Sequence, residues 1–281
     1  MTVIMLGRID PDGWTQSMSD VKGTAVVTGA SAGIGKIYAD RLAGRGYDLI
    51  LVARRGDRLA AVATELRAKY GVAVEPLVAD LGVAADLDRV AAVLRDDDRI
   101  TLLVNNAGTS TLAPMAKTDA AALDAMTAIN VTALARLTVA VLPRFTAKDR
   151  GTIINIGSVL GFHFLPVSSI YSATKGYVLN FTRGLQQELA DTNVRVQLVA
   201  PAATATDIWE ISGVPLSALE PGTIMTVEDC VDAALAGLDL GEAVTMPSVE
   251  DAAALLAAYD AARVALLAGS RTGKPASRYS K

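Results

Sequence analysis

Three residues in the second half of the chain have side chains that could exchange a proton with a bound molecule. Ser158 ends an apolar run, and Tyr171 and Lys175 follow within YSATK. On a helix, side chains four apart lie on one face. A phenol titrates near 10, too high for easy proton exchange at neutral pH. A cation about 4 Å away, at an effective dielectric of about 20, stabilises the phenolate by about 4 kcal/mol at most. The spacing therefore predicts a tyrosine brought toward neutrality by its lysine. A Tyr-x-x-x-Lys pair alone is weak evidence, being usually an exposed helix pair.

A second cluster lies near the start of the described pattern. Thr28-Gly29-Ala30-Ser31-Ala32-Gly33-Ile34-Gly35 has the spacing G-x-x-x-G-x-G between an apolar β-branched run and a helical segment. Glycines allow a tight turn and let the backbone approach a pyrophosphate at the next helix's N-terminus. A ribose-binding acid is expected about 20 residues on, at the end of the second strand. That strand ends in Val52-Ala53-Arg54-Arg55 instead. Guanidinium forks suit a 2′-phosphate, so the sequence favours NADP over NAD. The alternative is a solvated arginine pair.

The elements that must position these groups follow from apolar runs alternating with helical stretches. Strands are expected at 24–28, 48–53, 72–79, 100–104, 152–157, 194–200 and 243–246. Helices are expected at 33–43, 57–69, 84–95, 119–142, 169–190 and 226–239. This alternation predicts a Rossmann-type, doubly wound α/β fold, with a mainly parallel seven-stranded sheet and helices on both faces. Ser158 then falls at a strand's carboxyl end, where such sheets bind ligands. The expected division is an N-terminal arm at 1–20, a catalytic domain at 21–248, and a helical extension of the same domain at 249–281. Met18 is a candidate natural start.

Composition narrows the function. The 281 residues carry a net charge of −4 and are 51% hydrophobic, which gives no basic surplus for nucleic acid or an anionic membrane. Cys230 is the only cysteine and His163 the only histidine, so neither a disulfide nor a thiolate metal cluster is expected. These counts fit a cytoplasmic protein. Residues 151–174 are uncharged for 24 positions, long enough to span a bilayer, but Asn155, Pro166 and several serines and glycines argue for a strand and a loop.

TGASAGIG (28–35), NNAG (105–108), Asn130, Ser158 and YSATK (171–175), in this order, resemble the short-chain dehydrogenase/reductase family from about residue 20 to 246. The resemblance implies an NADP(H)-dependent oxidoreductase that moves a hydride between nicotinamide and a carbonyl or secondary alcohol, without a metal. It implies that Tyr171 is the general acid in reduction and that Lys175 lowers its pKa and holds the nicotinamide ribose. Ser158 would hold the carbonyl oxygen, and Asn130 a water linking Lys175 to solvent. It also implies a cofactor shell of Gly29, Ser31, Gly33, Ile34, Gly35, Arg54, Arg55, Asp80, Leu81, Asn106, Ala107, Gly108, Tyr171, Lys175, Pro201, Thr204 and Thr206. Ala202 stands where the family usually has glycine, so backbone strain is expected there. The family pairs the helices near 119–142 and 169–190, which implies a homodimer or homotetramer.

The loop at 202–225 has few charges and favours a moderately apolar small-molecule substrate. Trp209, Ile211 and Met225 serve there as an apolar lid or as core. His163 is a substrate contact or a structural residue. The competing reading is a non-catalytic NADP-binding regulator or redox sensor. Epimerisation or dehydration on the same fold is a third, disfavoured because it generally needs a larger substrate domain.

Overall fold

The structure, a computed structural model, describes residues 22–279, so the arm expected at 1–20 lies outside the described residues. Strand β1 (Thr24–Thr28) is followed by α1 (Gly33–Gly44), β2 (Asp48–Ala53), α2 (Gly56–Tyr70), β3 (Val74–Val78), α3 (Ala84–Asp96) and β4 (Ile100–Asn105). Next come α4 (Ala120–Thr127), a π-helical stretch (Ala128–Ala133), α5 (Leu134–Ala147), β5 (Gly151–Ile156) and α6 (Ser169–Glu188). The series ends with β6 (Val194–Val199), α7 (Ile208–Ser212), α8 (Val227–Asp239), β7 (Val244–Thr245) and α9 (Ala252–Gly269).

The seven strands form one sheet in the order β3-β2-β1-β4-β5-β6-β7, and every pairing is parallel. Parallel strands buried on both faces are predominantly apolar, as Ala25, Val26 and Val27 of β1 are, each fully buried. Their side chains alternate between two cores. Ala25 and Val27 pack with Tyr38 and Leu42 of α1, Leu59 of α2 and Leu235 of α8. Val26 packs on the opposite face with Leu94 of α3, Val141 of α5 and Leu185 of α6. Strand order reverses between β1 and β4, and the crevice above that switch point is where such sheets take ligands.

The helix expected at 119–142 is continuous from Ala120 to Ala147 and widens at one point. The wide π turn at Ala128–Ala133 contains Asn130, and α5 continues through Pro143 to Ala147. Sequence periodicity cannot register one extra residue in a turn, so this boundary was not readable in advance. The chain divides into two units, Met1–Pro247 and Ser248–Lys281. In the second unit, α9 has no buried residue and exposes Leu255, Val264, Leu266 and Leu267. By length and composition, α9 and the stretch 120–147 are apolar enough to cross a membrane, although the latter window is 39% buried in this fold.

Candidate active site

The glycine loop joins β1 to α1. The N-cap of α1, Ala32, has no side-chain bond to the first turn, so backbone N–H groups there face the crevice unpaired by any cap. Gly35 lies under the loop: a Cβ there would meet the Gly29 carbonyl oxygen at 2.4 Å and Asn106 Nδ2 at 2.5 Å. Gly35 therefore permits the close packing and does not line the cleft, unlike the other expected cofactor residues.

Asn106 staples the loop from the other side of the switch point. Its Nδ2 donates to the Thr28 carbonyl at 2.8 Å, while Thr28 Oγ1 accepts from the Asn106 and Ala107 amides, both at 2.9 Å. Thr28 was not singled out from sequence, because a threonine at a strand end looks like any β-branched residue. A second buried relay holds the elements that lead to Ser158 and carry Tyr171. Asn105 Nδ2 donates to Asn155 Oδ1 at 2.9 Å and Thr138 Oγ1 at 3.0 Å, and Asn155 Nδ2 donates to Thr182 Oγ1 at 3.0 Å. These bonds fix β4, β5, α5 and α6 against one another.

Ser158 follows β5 and caps a 3₁₀ turn, its Oγ accepting from the Leu160 amide at 3.1 Å. Gly161 closes that turn against α6, where a Cβ would lie 2.7 Å from the Lys175 carbonyl oxygen. The close approach sets the Ser158 hydroxyl beside the Tyr171 side chain, where it favours the ionised phenol. Lys175 is buried, its Nζ donating to the Ile156 carbonyl at 2.9 Å and lying 5.7 Å from the centre of the Tyr171 ring.

The expected acidification of Tyr171 is not what this geometry gives. Burial pushes Tyr171 up to about 12, opposed by the Ser158 hydroxyl. Burial also pushes Lys175 down to about 8. Both ionic forms lose hydration, and the ammonium is spent on a carbonyl beside the ring rather than on the hydroxyl. The phenol is thus held protonated at neutral pH, the form that donates a proton.

A depressed lysine pKa has a thermodynamic signature. Below about pH 8 the lysine is charged both folded and unfolded, and the fold bears the full burial cost. From about 8 to the ordinary 10.5 the unfolded chain binds more protons, so wild-type stability rises with pH. Lys175→Met should therefore raise Tm by several degrees at pH 7, and the gain should shrink toward pH 10.5. Thermal melts across that range check it, and a mutant less stable at pH 7 would contradict it.

Asn130 sits beside this pair. Its Oδ1 accepts from the Thr109 amide, and its Nδ2 donates to the Thr109 carbonyl, both at 2.9 Å, and to Thr174 Oγ1 at 3.1 Å. Both amide hydrogens are spent on protein, so the side chain locks α6 to the loop after β4. Asn130 does not line the cleft.

One cleft of about 500 Å³ joins the glycine loop, Arg54, Arg55, Asp80, Leu81, Asn106, Ala107 and Gly108 to Ser158, Tyr171, Lys175, Pro201, Thr204 and Thr206. Leu112, Leu160, Leu165, Trp209 and Ile211 add apolar wall to the same cleft. The leucines were missed from sequence because they come from two separate connections, β4–α4 and β5–α6, with no shared periodicity. Trp209 is fixed by its indole N–H, which donates to the Thr204 carbonyl at 2.8 Å. Trp209 and Ile211 are therefore wall residues. Met225 instead forms a backbone bridge with Thr204.

His163 is exposed, stacks on Phe164 and is absent from the cleft wall. The strain expected at Ala202 is absent: among the described residues, Asp149 is the only non-glycine with positive φ. No group of metal-binding side chains occurs among the described residues.

The cleft fits a dinucleotide by its uncapped helix start, glycine cradle and arginine pair. Similarity to known proteins agrees with the architecture. A family profile described as short chain dehydrogenase matches residues 23–213. A short-chain dehydrogenase from Sphingobium yanoikuyae, solved in complex with NADPH, is 46% identical with a TM-score of 0.88, over 92% of this chain and 100% of that one. The bulky-bulky ketone specific alcohol dehydrogenase of Comamonas testosteroni is 39% identical with a TM-score of 0.84, over 92% and 99%. The very-long-chain 3-oxoacyl-CoA reductase of Anas platyrhynchos is 40% identical over 193 residues, 67% of this chain. The match spans only 62% of that relative's own length. The chain belongs to the short-chain dehydrogenase/reductase family of oxidoreductases.

Proposed function

We propose that the protein is an NADPH-dependent reductase of uncharged ketones with apolar substituents, interconverting them with secondary alcohols. The observation that carries this reading is the meeting of the Ser158 and Tyr171 hydroxyls between a glycine-and-arginine crevice and an apolar wall. Bound at that crevice, NADPH would supply a hydride for the carbonyl carbon. Ser158 would hold the carbonyl oxygen, and Tyr171, protonated at neutral pH, would give that oxygen its proton. Lys175 would keep a positive charge beside the resulting phenolate, which offsets its desolvation. Arg54 and Arg55 would take the 2′-phosphate, with Asp80 and Leu81 beside the adenine.

Charge distribution favours an uncharged substrate. The charged groups lining the cleft are Arg54, Arg55, Asp80, Lys175 and Asp207, and the rest of the lining is uncharged. A coenzyme A thioester carries several phosphates and needs cations along its path. This supports a ketone like that in the name of the Comamonas relative over an acyl-CoA like that in the name of the Anas relative. Exposed Val139 on α5 and Tyr177 on α6 support self-association through those helices.

The test is NADPH oxidation with a panel of ketones bearing two apolar arms, set against 3-oxoacyl-CoA thioesters. Turnover of the ketones at least tenfold above the thioesters is expected. Preference for thioesters would overturn the substrate class, and no oxidation of NADPH by any of them would favour a non-catalytic NADP-binding protein.

A further inference from the structure

The segment after β6 carries the substrate wall, and its first acid reaches back across the crevice. Asp207 lies two residues before Trp209 and one after Thr206. Thr206 Cγ2 stands 3.3 Å from where a Cβ on Gly33 would be, so this end of the segment rests on the glycine loop. From there the Asp207 carboxylate lies 3.9 Å from Arg55 Nη2 and 3.8 Å from Arg58 Nη1. Arg55 Nη2 also stands 3.5 Å from Ser31 Oγ in the glycine loop. Arg55 is the N-cap of α2 and Arg58 lies in its first turn, where the helix dipole adds to their charge.

An anion is thus held at the start of α2 by two arginines, beside a loop serine. That is the place assigned above to the 2′-phosphate, and the chain puts its own carboxylate there. The rest of the wall segment is anchored separately. Trp209 Nε1 bonds the Thr204 carbonyl, and the Ser212 carbonyl accepts from the Leu112 amide at 3.0 Å. Only Asp207 ties the segment to the arginines, and it does so through exposed pairs that are individually weak.

We propose that Asp207 is an internal competitor for the 2′-phosphate site, a latch that holds the start of the substrate wall to Arg55 and Arg58 until a phosphate with greater charge displaces it. The inference rests on the cofactor reading above. It makes Asp207 a positioning residue through which the 2′-phosphate, and not the rest of the nucleotide, acts on the substrate wall. By linkage, whatever releases the latch also tightens binding of the phosphate.

The experiment uses adenosine 2′,5′-bisphosphate and 5′-AMP, which differ by the phosphate in question and carry no nicotinamide, with NADPH and NADH alongside. Affinities are measured by calorimetry for the full chain and for Asp207→Asn, which keeps the side chain's size. Asp207→Asn should bind adenosine 2′,5′-bisphosphate and NADPH about three- to tenfold more tightly at low salt, with 5′-AMP and NADH changed less than twofold. Asp207→Glu should stay near wild type. In a Trp14→Phe background, emission from Trp209 should shift on adding the bisphosphate but not 5′-AMP, and Asp207→Asn should show the shifted emission without ligand.

Unchanged or weaker bisphosphate binding in Asp207→Asn overturns the latch. Equal gains for all four ligands do so too, since they signify general repulsion of phosphate. Wild-type protein that binds neither NADPH nor NADH sinks the proposed function and the latch together. Tight wild-type NADPH binding with no response at Asp207 sinks the latch alone.

Discussion

Tyr171→Phe is expected to lower kcat for ketone reduction by roughly a thousandfold while leaving the NADPH dissociation constant within about threefold. Phenylalanine keeps the ring over which Lys175 Nζ lies and removes only the hydroxyl that meets Ser158. The proton for the carbonyl oxygen then has to come from solvent. Removal of one buried hydroxyl, itself costly to desolvate, should leave the melting temperature unchanged or slightly raised. Single-turnover kinetics with saturating NADPH read the chemical step directly. A variant within tenfold of wild type would assign the proton to another group. The pH profile should agree: with Tyr171 held up to about 12, its own deprotonation does not limit the rate in the neutral range. Loss of rate is expected as Lys175 deprotonates near 8 and its charge beside the developing phenolate disappears.

The second large effect concerns the nucleotide. Replacing both Arg54 and Arg55 by alanine should weaken NADPH binding by about 10- to 100-fold and leave NADH within about threefold. Both side chains are substantially exposed, at 63% and 45%, so a larger loss is not expected. High salt should reproduce part of the effect in the wild type, because these are solvent-screened charges. Equal weakening of both cofactors would mean that the arginines hold the pyrophosphate, and the preference for NADP would have to be abandoned.

The sequence exposed most of the scaffold because parallel strands buried on two faces are predominantly apolar runs. Val26 and Val27 serve opposite cores, so neither position tolerates polarity. The chemical residues were legible where a fixed spacing has a physical cause. Tyr171 and Lys175 share a helix face, and Arg54 and Arg55 directly follow a strand at the expected distance from the glycine loop. What spacing could not convey was environment. The four-residue offset suggested that the cation would acidify the phenol, but burial of both groups reverses the direction for Tyr171. Residues that act across the fold were also hidden. Thr28 clasps the Asn106 turn from 78 positions away, and Asp207 faces arginines about 150 positions upstream, with nothing local to mark either. Ala202 shows the opposite limit: a departure from a family pattern suggested strain that the backbone does not carry.

The central claim is that this cleft delivers a hydride to a ketone carbon while a tyrosine hydroxyl supplies the proton. Reduction of an apolar ketone with NADPH carrying deuterium at the transferable position of its nicotinamide tests the first half directly, with mass and NMR analysis of the alcohol. One deuterium bonded to the carbinol carbon, in a single stereoisomer, is the predicted result. An alcohol without deuterium, or with deuterium found in the solvent, would contradict it.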